Sequence, residues 1–351
     1  MYYVDTTDKE EIRRISQEEE ISGICTTGTD VAVPSIGYVC DSLDLPGVSE
    51  KGALCASDKD LMKERFIQHG VNTARYRVVS SADDIERAMD ELEVPLIFKA
   101  VDSSGSRGIV KVSGKSRKEI DQAVDIVKKV TKKNYFIIEE FIEGEEFGAQ
   151  ALIYKGKVQF VMPHGDYVFV GDTGVPIGHY VPYDMPEDIL EQAYFQTVKS
   201  AEALGLDNCA LNVDFILRDG KVYVLEIGAR AGATCLPEMI SIYYGIDFYK
   251  MIIQTALGEK IETISSGTVK AANACRLVMA EKTGTITRIQ MPDVCNPHLK
   301  DISLDYKIGD QVRKFHIGPD RIGQVITSGD TLEDAVELLD KVYGKIEIDI
   351  E

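Results

Sequence analysis

Two carboxylates and one arginine within residues 212–230 could together hold a divalent cation and a phosphate. The segment consists of two runs of β-type residues on either side of a turn, a composition that predicts a hairpin. Because side chains alternate along a strand, Asp214 and Glu226 are expected on one face with Asn212, and Arg230 follows closely. Carboxylate oxygens are the ligands that hard divalent cations prefer. The alternative is a solvated polar face with two ordinary acids.

The length of the turn decides which face of the hairpin receives Glu226. A three-residue loop at residues 218–220 pairs Leu217 with Lys221 and keeps Glu226 beside Asp214. A two-residue turn shifts the register by one and places Glu226 among apolar residues, which is costly for an unpaired carboxylate. We therefore predict the three-residue loop. The apolar face then contains Leu211, Val213, Phe215, Leu217, Tyr223, Leu225 and Ile227.

A lysine at the end of an apolar strand, next to a Gly/Ser-rich loop, is a second chemical feature. Residues 94–100 (VPLIFKA) predict a strand that ends near Lys99, and residues 102–108 (DSSGSRG) predict the loop. Backbone N–H groups of such a loop and a point cation can converge on phosphate oxygens. The alternative is a hairpin turn with a solvated lysine. The loop is not a Walker A loop, because the Gly-Lys-Ser/Thr order is missing.

Length, charge and cysteine usage limit the class of protein. The 351 residues can hold two or three domains, and 44% hydrophobic with 28% charged residues is typical of a soluble globular protein. The net charge of −19 argues against nonspecific attraction to nucleic acid or an anionic membrane. No run approaches the ~20 apolar residues of a membrane span, and the N-terminus lacks a signal-peptide pattern. Seven scattered cysteines without a Cys-x-x-Cys pair indicate free thiols in a reducing, cytoplasmic location. The five histidines show no metal-ligand spacing.

The elements that must position these residues follow from periodicity and helix caps. Residues 2–57 predict a small parallel α/β unit, with a strand at 21–25 between two helices. Residues 163–182 are rich in Gly and Pro but also in aromatic residues, which favours a recognition loop. The predicted helices are 10–20, 31–43, 59–70, 82–92, 116–130, 186–204, 236–257 and 332–342. The predicted strands are 21–25, 76–79, 94–100, 109–112, 135–138, one ending near 154, 158–162, and several beyond 269.

The order and spacing of these motifs resemble the ATP-grasp superfamily of carboxylate–amine ligases over residues 55–260. The resemblance implies an α/β and α+β fold, with a short N-terminal parallel α/β unit, a mobile lid, a central core and a C-terminal α+β module. The expected domains are residues 1–57, 58–265 with the lid at about 80–140, and 266–351. Members usually begin with a fuller α/β domain, so a shortened first domain is expected here.

The resemblance assigns roles in ATP binding to two lysines, a loop and a hinge. Lys59 and Lys99 match the lysines that contact the phosphates. The loop residues expected to close over the triphosphate are Ser104, Gly105, Ser106 and Gly108. The hinge residues expected to bind adenine are Glu139, Phe141 and Ile142, and Glu146 is expected to bind the ribose hydroxyls.

Asp214 and Glu226 match the two magnesium-binding acids of the family. The usual Glu-x-Asn-x-Arg pattern has Gly228 here, so one side-chain ligand is missing, and Asn212 could compensate. Arg230 is expected to stabilise the reacting oxyanion and phosphate. His179, within a Gly-His-Tyr-Val-Pro sequence that resembles a substrate-loop motif, could orient a substrate or accept an amine proton, although a structural role is an alternative.

The resemblance implies an ATP-dependent ligase that uses Mg²⁺, with Mn²⁺ as an alternative. Such an enzyme converts a carboxylate, here expected to be that of an amino acid, to an acyl phosphate, joins it to an amine, and releases ADP and phosphate. The Glu-x-Gly-x-Arg form is most similar to L-amino acid ligases and relatives of carbamoyl phosphate synthase. Phosphoribosylamine–glycine ligase-like, carboxyphosphate-forming and non-catalytic nucleotide-binding proteins are the alternatives. The carboxylate and the amine would both be small molecules. For the oligomeric state, a monomer and a homodimer are the alternatives.

Overall fold

Residues 1–103, 105, 107–170, 174–264 and 270–351 are described by a computed structural model of the chain. These residues form two compact units. The first unit comprises Met1–Val161, Met185–Ala231 and Lys250–Glu262. The second comprises Met162–Asp184, Gly232–Tyr249 and the described residues of Thr263–Glu351. Within the described part, no helix is long and apolar enough to cross a membrane.

The N-terminal segment is helical and lacks the strand that the sequence predicts. Its helices are α1 (Lys9–Glu18), α2 (Val33–Leu43) and α3 (Glu50–Ser57). Residues 21–25, all of them described, form no strand, and Ile24 and Cys25 line a small cavity instead. One isolated parallel bridge, between Thr27 and Ala231, is the β interaction described for residues 1–57. The expected parallel α/β unit is therefore wrong, because a single bridged pair does not build a sheet.

Helix α4 (Lys59–His69) confirms the predicted start and end signals. The Asp58 carboxylate accepts the backbone N–H groups of Asp60 and Leu61, which would otherwise lack partners at the helix start. Gly70 ends the helix in the left-handed region, with φ of 66°. The cap thus fixes the residue at which α4 begins.

The segment predicted as the lid lies in a four-stranded antiparallel sheet with two helices. Its strands, in the spatial order β1-β4-β2-β3, are β1 (Tyr76–Val79), β2 (Leu96–Lys99), β3 (Ile109–Val112) and β4 (Phe136–Glu140). The helices are α5 (Ala82–Glu91) and α6 (Arg117–Val130). Phe98 and Phe136 stack in the core between the layers, with ring centroids 6.1 Å apart. The predicted strand–helix order of this segment is confirmed.

A second sheet follows along the chain. Its first members are β5 (Glu145–Tyr154), β6 (Lys157–Val168), β7 (Pro176–Val181), β8 (Cys209–Arg218) and β9 (Lys221–Gly228), with α7 (Glu187–Leu204) between β7 and β8. In the first unit the strands lie in the order β6-β5-β8-β9. Phe147 on β5 stacks on Phe215 of β8 at a centroid distance of 5.1 Å. The segment predicted as a recognition loop is largely strand, since β6 runs to Val168 and β7 begins at Pro176.

The β8–β9 hairpin has a shorter turn than the sequence predicts. Arg218 pairs with Lys221, so Asp219 and Gly220 form a two-residue turn. Both turn residues have positive φ, 50° and 72°, as a type I′ hairpin requires. The predicted three-residue loop is therefore wrong.

A β-bulge in β9 nevertheless pairs the two acids as predicted. Phe215 pairs with Val224, whereas Asp214 pairs with Glu226, so Leu225 is the extra residue. The alternation of β9 reverses there, and Glu226 lies beside Asp214 on the polar face. The prediction that Tyr223 and Leu225 lie on the apolar face with Val213 and Phe215 is wrong. Both belong to an apolar cluster with Ala74, Ile142 and Ile216.

The second unit contains the C-terminal α+β module. In it the strand order is β12-β14-β10-β7-β6, and β13, β11 and β15 form a small separate sheet. The single helix predicted over 236–257 is two helices, because Gly245 ends the first one in the left-handed region with φ of 65°. The helices of this unit are α8 (Leu236–Tyr244) and α10 (Leu332–Tyr343), with a 3₁₀ turn at Gly318–Asp320. Helix α9 (Phe248–Ala256) begins in this unit, and its residues from Lys250 onward belong to the first unit. The remaining strands are β10 (Ala272–Met279), β11 (Gly284–Gln290), β12 (Leu299–Leu304), β13 (Gln311–Val312), β14 (Arg321–Gly329) and β15 (Glu347–Ile350).

Candidate active site

Two acids and two amides meet on the polar face of the β8–β9 hairpin. Asp214 lies directly opposite Glu226 in the ladder, and Asn212 lies opposite Gly228. Asn212 Nδ2 donates to Asp214 Oδ1 at 3.2 Å, and Asn212 Oδ1 accepts from Nε2 of the buried Gln150 at 2.6 Å. The amide that the sequence offers as a substitute metal ligand therefore orients Asp214 in this structure.

Lys59, the first residue of α4, reaches the acid pair. Its Nζ donates to Glu226 Oε1 at 2.9 Å and to the Ser103 carbonyl at 2.8 Å. Only 8% of the Lys59 side chain is exposed. Burial alone would lower the pKa of Lys59, but the carboxylates of Glu226 and Asp30 raise it above its usual value. One charged ammonium group thus links α4, the loop after β2 and the hairpin.

Glu139 on β4 lies between two lysines. Lys99 Nζ pairs with Glu139 Oε1, and Lys63 Nζ lies 2.6 Å from Glu139 Oε2. The side chains of Lys63 and Glu139 are each 2% exposed. Burial alone would raise the pKa of Glu139, but the two ammonium groups lower it to about 2. For Lys63, burial lowers the pKa although the carboxylate opposes it. The predicted adenine-binding carboxylate is thus engaged by two cations, and the three formal charges leave one positive charge in excess.

The other predicted hinge residues lie close to this cluster along the chain. The Phe141 amide N–H donates to the Pro95 carbonyl at 2.9 Å, and Lys111 Nζ lies 3.4 Å from the Phe141 ring centroid. Ile142 is buried in an apolar cluster. Glu146 is exposed near the start of β5. The Phe141 amide is therefore already paired, and Glu146 is one of three exposed acids, with Glu143 and Glu145, beside the hinge.

The loop after β2 is closed at its base by a backbone hydrogen bond. The Ala100 N–H donates to the Gly108 carbonyl at 2.9 Å. Gly105 and Gly108 both have positive φ, 65° and 68°. A Cβ at Gly108 would also lie 2.9 Å from the Ala100 Cβ, so this position requires glycine. The predicted ligands Ser104 and Ser106 lie outside the described residues.

Arg230 is held by a carboxylate from the N-terminal segment. Its Nε donates to Asp30 Oδ1 and its Nη2 donates to Asp30 Oδ2, both at 2.8 Å. Such a two-point contact fixes the plane of the guanidinium. Burial alone would lower the pKa of Arg230, but Asp30, with smaller effects of Asp214 and Glu226, raises it. Arg230 is therefore a fixed cation close to the acid pair.

The space beside Gly228 is occupied by the same carboxylate. A Cβ placed on Gly228 would lie 2.8 Å from Asp30 Oδ1, which is closer than real Cβ contacts. Asp30 and a side chain at position 228 therefore exclude each other while Asp30 stays on Arg230. Gly228 thus leaves room for Asp30 at the position where the family pattern has asparagine.

Two family models match separate parts of the chain. Residues 56–234 match the family described as ATP-grasp domain, which is more than half of the chain. The chain belongs to the ATP-grasp family. Residues 276–351 match L-amino acid ligase C-terminal domain 2. The α/β and α+β architecture is that of an ATP-grasp fold, as the sequence predicts.

This ATP-grasp chain is similar to several characterised proteins. It is 24% identical over 268 residues to alanine–anticapsin ligase of Bacillus subtilis (strain 168), a match that covers 70% of this chain and 57% of that protein. A crystal structure described as phosphoribosylglycinamide synthetase from Anaerococcus prevotii is 36% identical, with a TM-score of 0.86, over 100% of this chain and 88% of that one. The crystal structure of L-amino acid ligase from Bacillus licheniformis is 21% identical, with a TM-score of 0.80. The match covers 98% of this chain and 84% of that one. The chain thus spans little more than half the length of the curated relative.

Three residues that the structure brings to the candidate site are absent from the set predicted from the sequence. Lys63 could have been found, because it follows Lys59 by one helical turn on a well-capped helix. Gln150 lies inside an apolar strand, and its amide pairs across the sheet with Asn212. Asp30 lies 200 residues from Arg230 in a segment without regular structure, and no local pattern indicates it.

His179, the third predicted catalytic residue, belongs to the second unit. Its Nδ1 lies 2.6 Å from Asp166 Oδ1, and His164 Nδ1 lies 2.9 Å from the same oxygen. Burial lowers the pKa of His179, although Asp166 opposes the shift. Burial alone would raise the pKa of Asp166, but the two imidazoles hold it well below its usual value. The catalytic role of His179 stays a prediction.

The residues of the first unit fit a divalent cation beside phosphates. Asp214 and Glu226 present carboxylate oxygens from adjacent strands, and oxygen donors are what Mg²⁺ binds. Lys59 is within hydrogen-bond distance of Glu226, and the positive cluster around Glu139 includes Lys99. Cations of this kind offset the charge of phosphate oxygens.

Proposed function

We propose that the chain is an ATP-dependent ligase that joins a carboxylate, that of an amino acid, to an amine. The observation that carries the proposal is the direct pairing of Asp214 with Glu226 on one face, with Lys59 in contact with Glu226. Membership of the ATP-grasp family and the match of residues 276–351 support it. A merely solvated polar face would not require a buried lysine in contact with one of two paired acids.

Asp214 and Glu226 would hold Mg²⁺, or Mn²⁺ in its place, which would neutralise charge on the phosphoryl group during its transfer. Lys59 and Lys99 would bind phosphate oxygens of ATP, and the loop that contains Gly105 and Gly108 would cover them. A substrate carboxylate oxygen attacks the γ-phosphorus, and the bond to ADP breaks. The product of this step is an acyl phosphate and ADP.

Arg230 would act in the second half of the reaction. The amine nitrogen attacks the acyl carbon, phosphate leaves with its bonding electrons, and the nitrogen loses a proton. Negative charge builds up on the acyl oxygen and on the departing phosphate, and a guanidinium that Asp30 already holds in place can stabilise it without reorganisation. A lid at residues 80–140 would exclude water, which would otherwise hydrolyse the acyl phosphate.

A second candidate is a phosphoribosylamine–glycine ligase. It is supported by the 36% identity to the structure described as phosphoribosylglycinamide synthetase, which covers the full chain. The chemistry at the site would be the same, with glycine as the carboxylate and phosphoribosylamine as the amine. The two candidates differ in their substrates and not in the reaction type, so a substrate screen separates them.

The test is ADP and phosphate release by the purified chain with ATP, Mg²⁺ and either pooled amino acids or glycine with phosphoribosylamine. Replacement of Glu226 by Gln removes one ligand charge and the partner of Lys59, so we expect turnover to fall by at least ~1,000-fold, of the order found for loss of a major electrostatic group. Glu202→Gln, at an exposed position on α7, is the matched control and should keep full activity.

Full activity of Glu226→Gln would contradict the site assignment. Stabilisation of the wild type by ATP without ADP release from any mixture would favour a nucleotide-binding protein without turnover. Phosphate release with bicarbonate alone would favour a carboxyphosphate-forming enzyme. We also propose that the chain acts as a homodimer, which analytical ultracentrifugation would test.

A further inference from the structure

The cluster of His164, Asp166 and His179 in the second unit has the composition of a metal site. One ligand atom from each of the three side chains lies within 4.8 Å of the other two. Both imidazole Nδ1 atoms approach the same carboxylate oxygen, at 2.9 Å and 2.6 Å. The two rings meet edge to face, with centroids 4.9 Å apart.

The strand geometry places the three side chains together. His164 and Asp166 are two residues apart on β6, so their side chains leave the same face. Asp166 pairs directly with His179 on the neighbouring β7. The imidazoles are buried, at 2% and 3% exposure, whereas a quarter of the Asp166 side chain is exposed. Rigid, paired strands therefore support the nitrogen atoms, and the carboxylate faces the open side.

The donor atoms distinguish this cluster from the acid pair in the first unit. Two imidazole nitrogens and one carboxylate oxygen suit a borderline cation such as Zn²⁺, whereas Mg²⁺ prefers oxygen ligands alone. Three protein ligands with one position left open is a frequent arrangement around Zn²⁺. Both imidazole Nδ1 atoms approach one carboxylate oxygen, and a bound cation can take the place of a proton at such nitrogen and oxygen ligands.

We propose that His164, Asp166 and His179 form a binding site for a single Zn²⁺ ion. The site is separate in composition from the proposed nucleotide site and does not depend on the proposed ligase activity. The two histidines show no metal-ligand spacing in the sequence, since 14 residues lie between positions 164 and 179, and the pairing of β6 with β7 brings them together.

The experiment measures Zn²⁺ binding by equilibrium dialysis of the purified full chain in excess Mg²⁺, with Co²⁺ as a visible spectroscopic probe. We expect one Zn²⁺ per chain, and Co²⁺ absorption of a site with nitrogen and oxygen ligands. Asp166→Asn and His179→Gln should each weaken binding by about 10- to 100-fold or more. His69→Gln, at an exposed histidine of α4, and Glu226→Gln should leave binding unchanged.

Absence of stoichiometric binding to the wild type would overturn the proposal. So would unchanged binding by Asp166→Asn and His179→Gln, or loss of binding in Glu226→Gln. A thiolate-to-Co²⁺ charge-transfer band would assign the ion to cysteine and also overturn it. If both ligand variants fail to fold, the wild-type Co²⁺ spectrum and its displacement by Zn²⁺ decide, and absence of nitrogen-ligand absorption would overturn the proposal.

Discussion

Arg230 shows how one residue can depend on a partner far away in the sequence. Asp30 holds the guanidinium at two points, and the same carboxylate fills the space where a side chain at position 228 would lie. Gly228 is therefore not simply a missing metal ligand. The two positions depend on each other, because the absence of a side chain at Gly228 leaves room for the Asp30 carboxylate that fixes Arg230.

The contact between Asp30 and position 228 predicts that substitutions at the two positions have coupled effects on activity. Gly228→Asn should push Asp30 away from Arg230, and Asp30→Ala should release Arg230 directly. Because misplacement of a catalytic group by about 1 Å can cost ~100-fold in rate, we expect each variant to lose about that factor in kcat. In the double variant the asparagine fits, so the losses should be less than additive by ~1–3 kcal/mol.

Steady-state kinetics of the three variants, with thermal melts to confirm folding, would measure this coupling. Gly156→Asn is the control, because nothing lies within 4 Å of a Cβ at that turn. Strictly additive losses would mean that the contact between Asp30 and position 228 has no bearing on Arg230.

Glu139 is a second residue whose surroundings determine its behaviour. Its carboxylate is buried between Lys63 and Lys99, which lower its pKa to about 2. Glu139→Gln leaves two buried cations without a counter-charge, so we expect the free energy of unfolding to fall by ~3–5 kcal/mol. Urea denaturation at neutral pH would measure the loss.

The sign of the pH dependence follows from the lowered pKa. An unfolded glutamate titrates near ~4.3, so the stabilisation from Glu139 is fully present above that pH and is lost as pH falls toward 2. The wild type should therefore lose more stability between these pH values than Glu139→Gln does. Glu143→Gln, at an exposed neighbouring position, should follow the wild-type profile. Parallel profiles for Glu139→Gln and the wild type would contradict the ion-pair argument.

At the scale of elements, the β8–β9 hairpin shows what a sequence can and cannot determine. The alternation of apolar residues, together with the cost of burying an unpaired acid, correctly predicts a hairpin with Asp214 beside Glu226. The turn length is predicted wrongly, because alternation assumes a regular ladder, and the bulge at Leu225 compensates for a shorter turn. A bulge moves the alternation by one residue without a distinctive residue type, so periodicity alone cannot locate it.

Elements with local start and end signals were the most predictable. Helix α4 has its cap at Asp58 and its end at Gly70, and both signals lie within the helix's own sequence. The strand predicted at residues 21–25 depended instead on a neighbouring strand that this chain does not supply among its described residues. The Gly and Pro content of residues 163–182 predicts a loop, whereas the aromatic and β-branched residues there favour strands. The pairing of β6 with β7 outweighs that composition.

The turn of the hairpin offers a test at this scale. Gly220 has φ of 72° and open space around it, so side chains are limited there by backbone strain rather than by a clash. Gly220→Val should destabilise the chain by ~1–2 kcal/mol, because a β-branched residue in the left-handed region is strained. Gly220→Asn should lower the free energy of unfolding by only a few tenths of the loss expected for Gly220→Val, since asparagine tolerates this conformation. Urea denaturation would measure both. Equal stability of the two variants would mean that the turn does not hold Gly220 in the left-handed region.

At the scale of the whole molecule, the net charge is strongly negative, whereas the proposed nucleotide site holds a group of buried lysines. The chain carries a net charge of −19, yet Lys59, Lys63 and Lys99 are largely buried around one site. Salt screens interactions between exposed charges beyond about 8 Å at physiological ionic strength, but screens buried charges much less. The repulsion of an anionic nucleotide by the molecule is therefore the component that salt should remove.

We accordingly expect the association rate constant of ATP to rise, or at least not to fall, as ionic strength increases from about 0.02 M to 0.2 M. Buried lysines should keep the dissociation rate constant nearly unchanged over this range. Stopped-flow fluorescence with a labelled ATP would measure both constants, and labelled adenosine, which has no phosphate charge, is the control. A tenfold fall in the association rate constant with added salt would mean that exposed cations attract the nucleotide. In that case Lys59, Lys63 and Lys99, which are shielded from solvent, could not be the groups that dominate its capture.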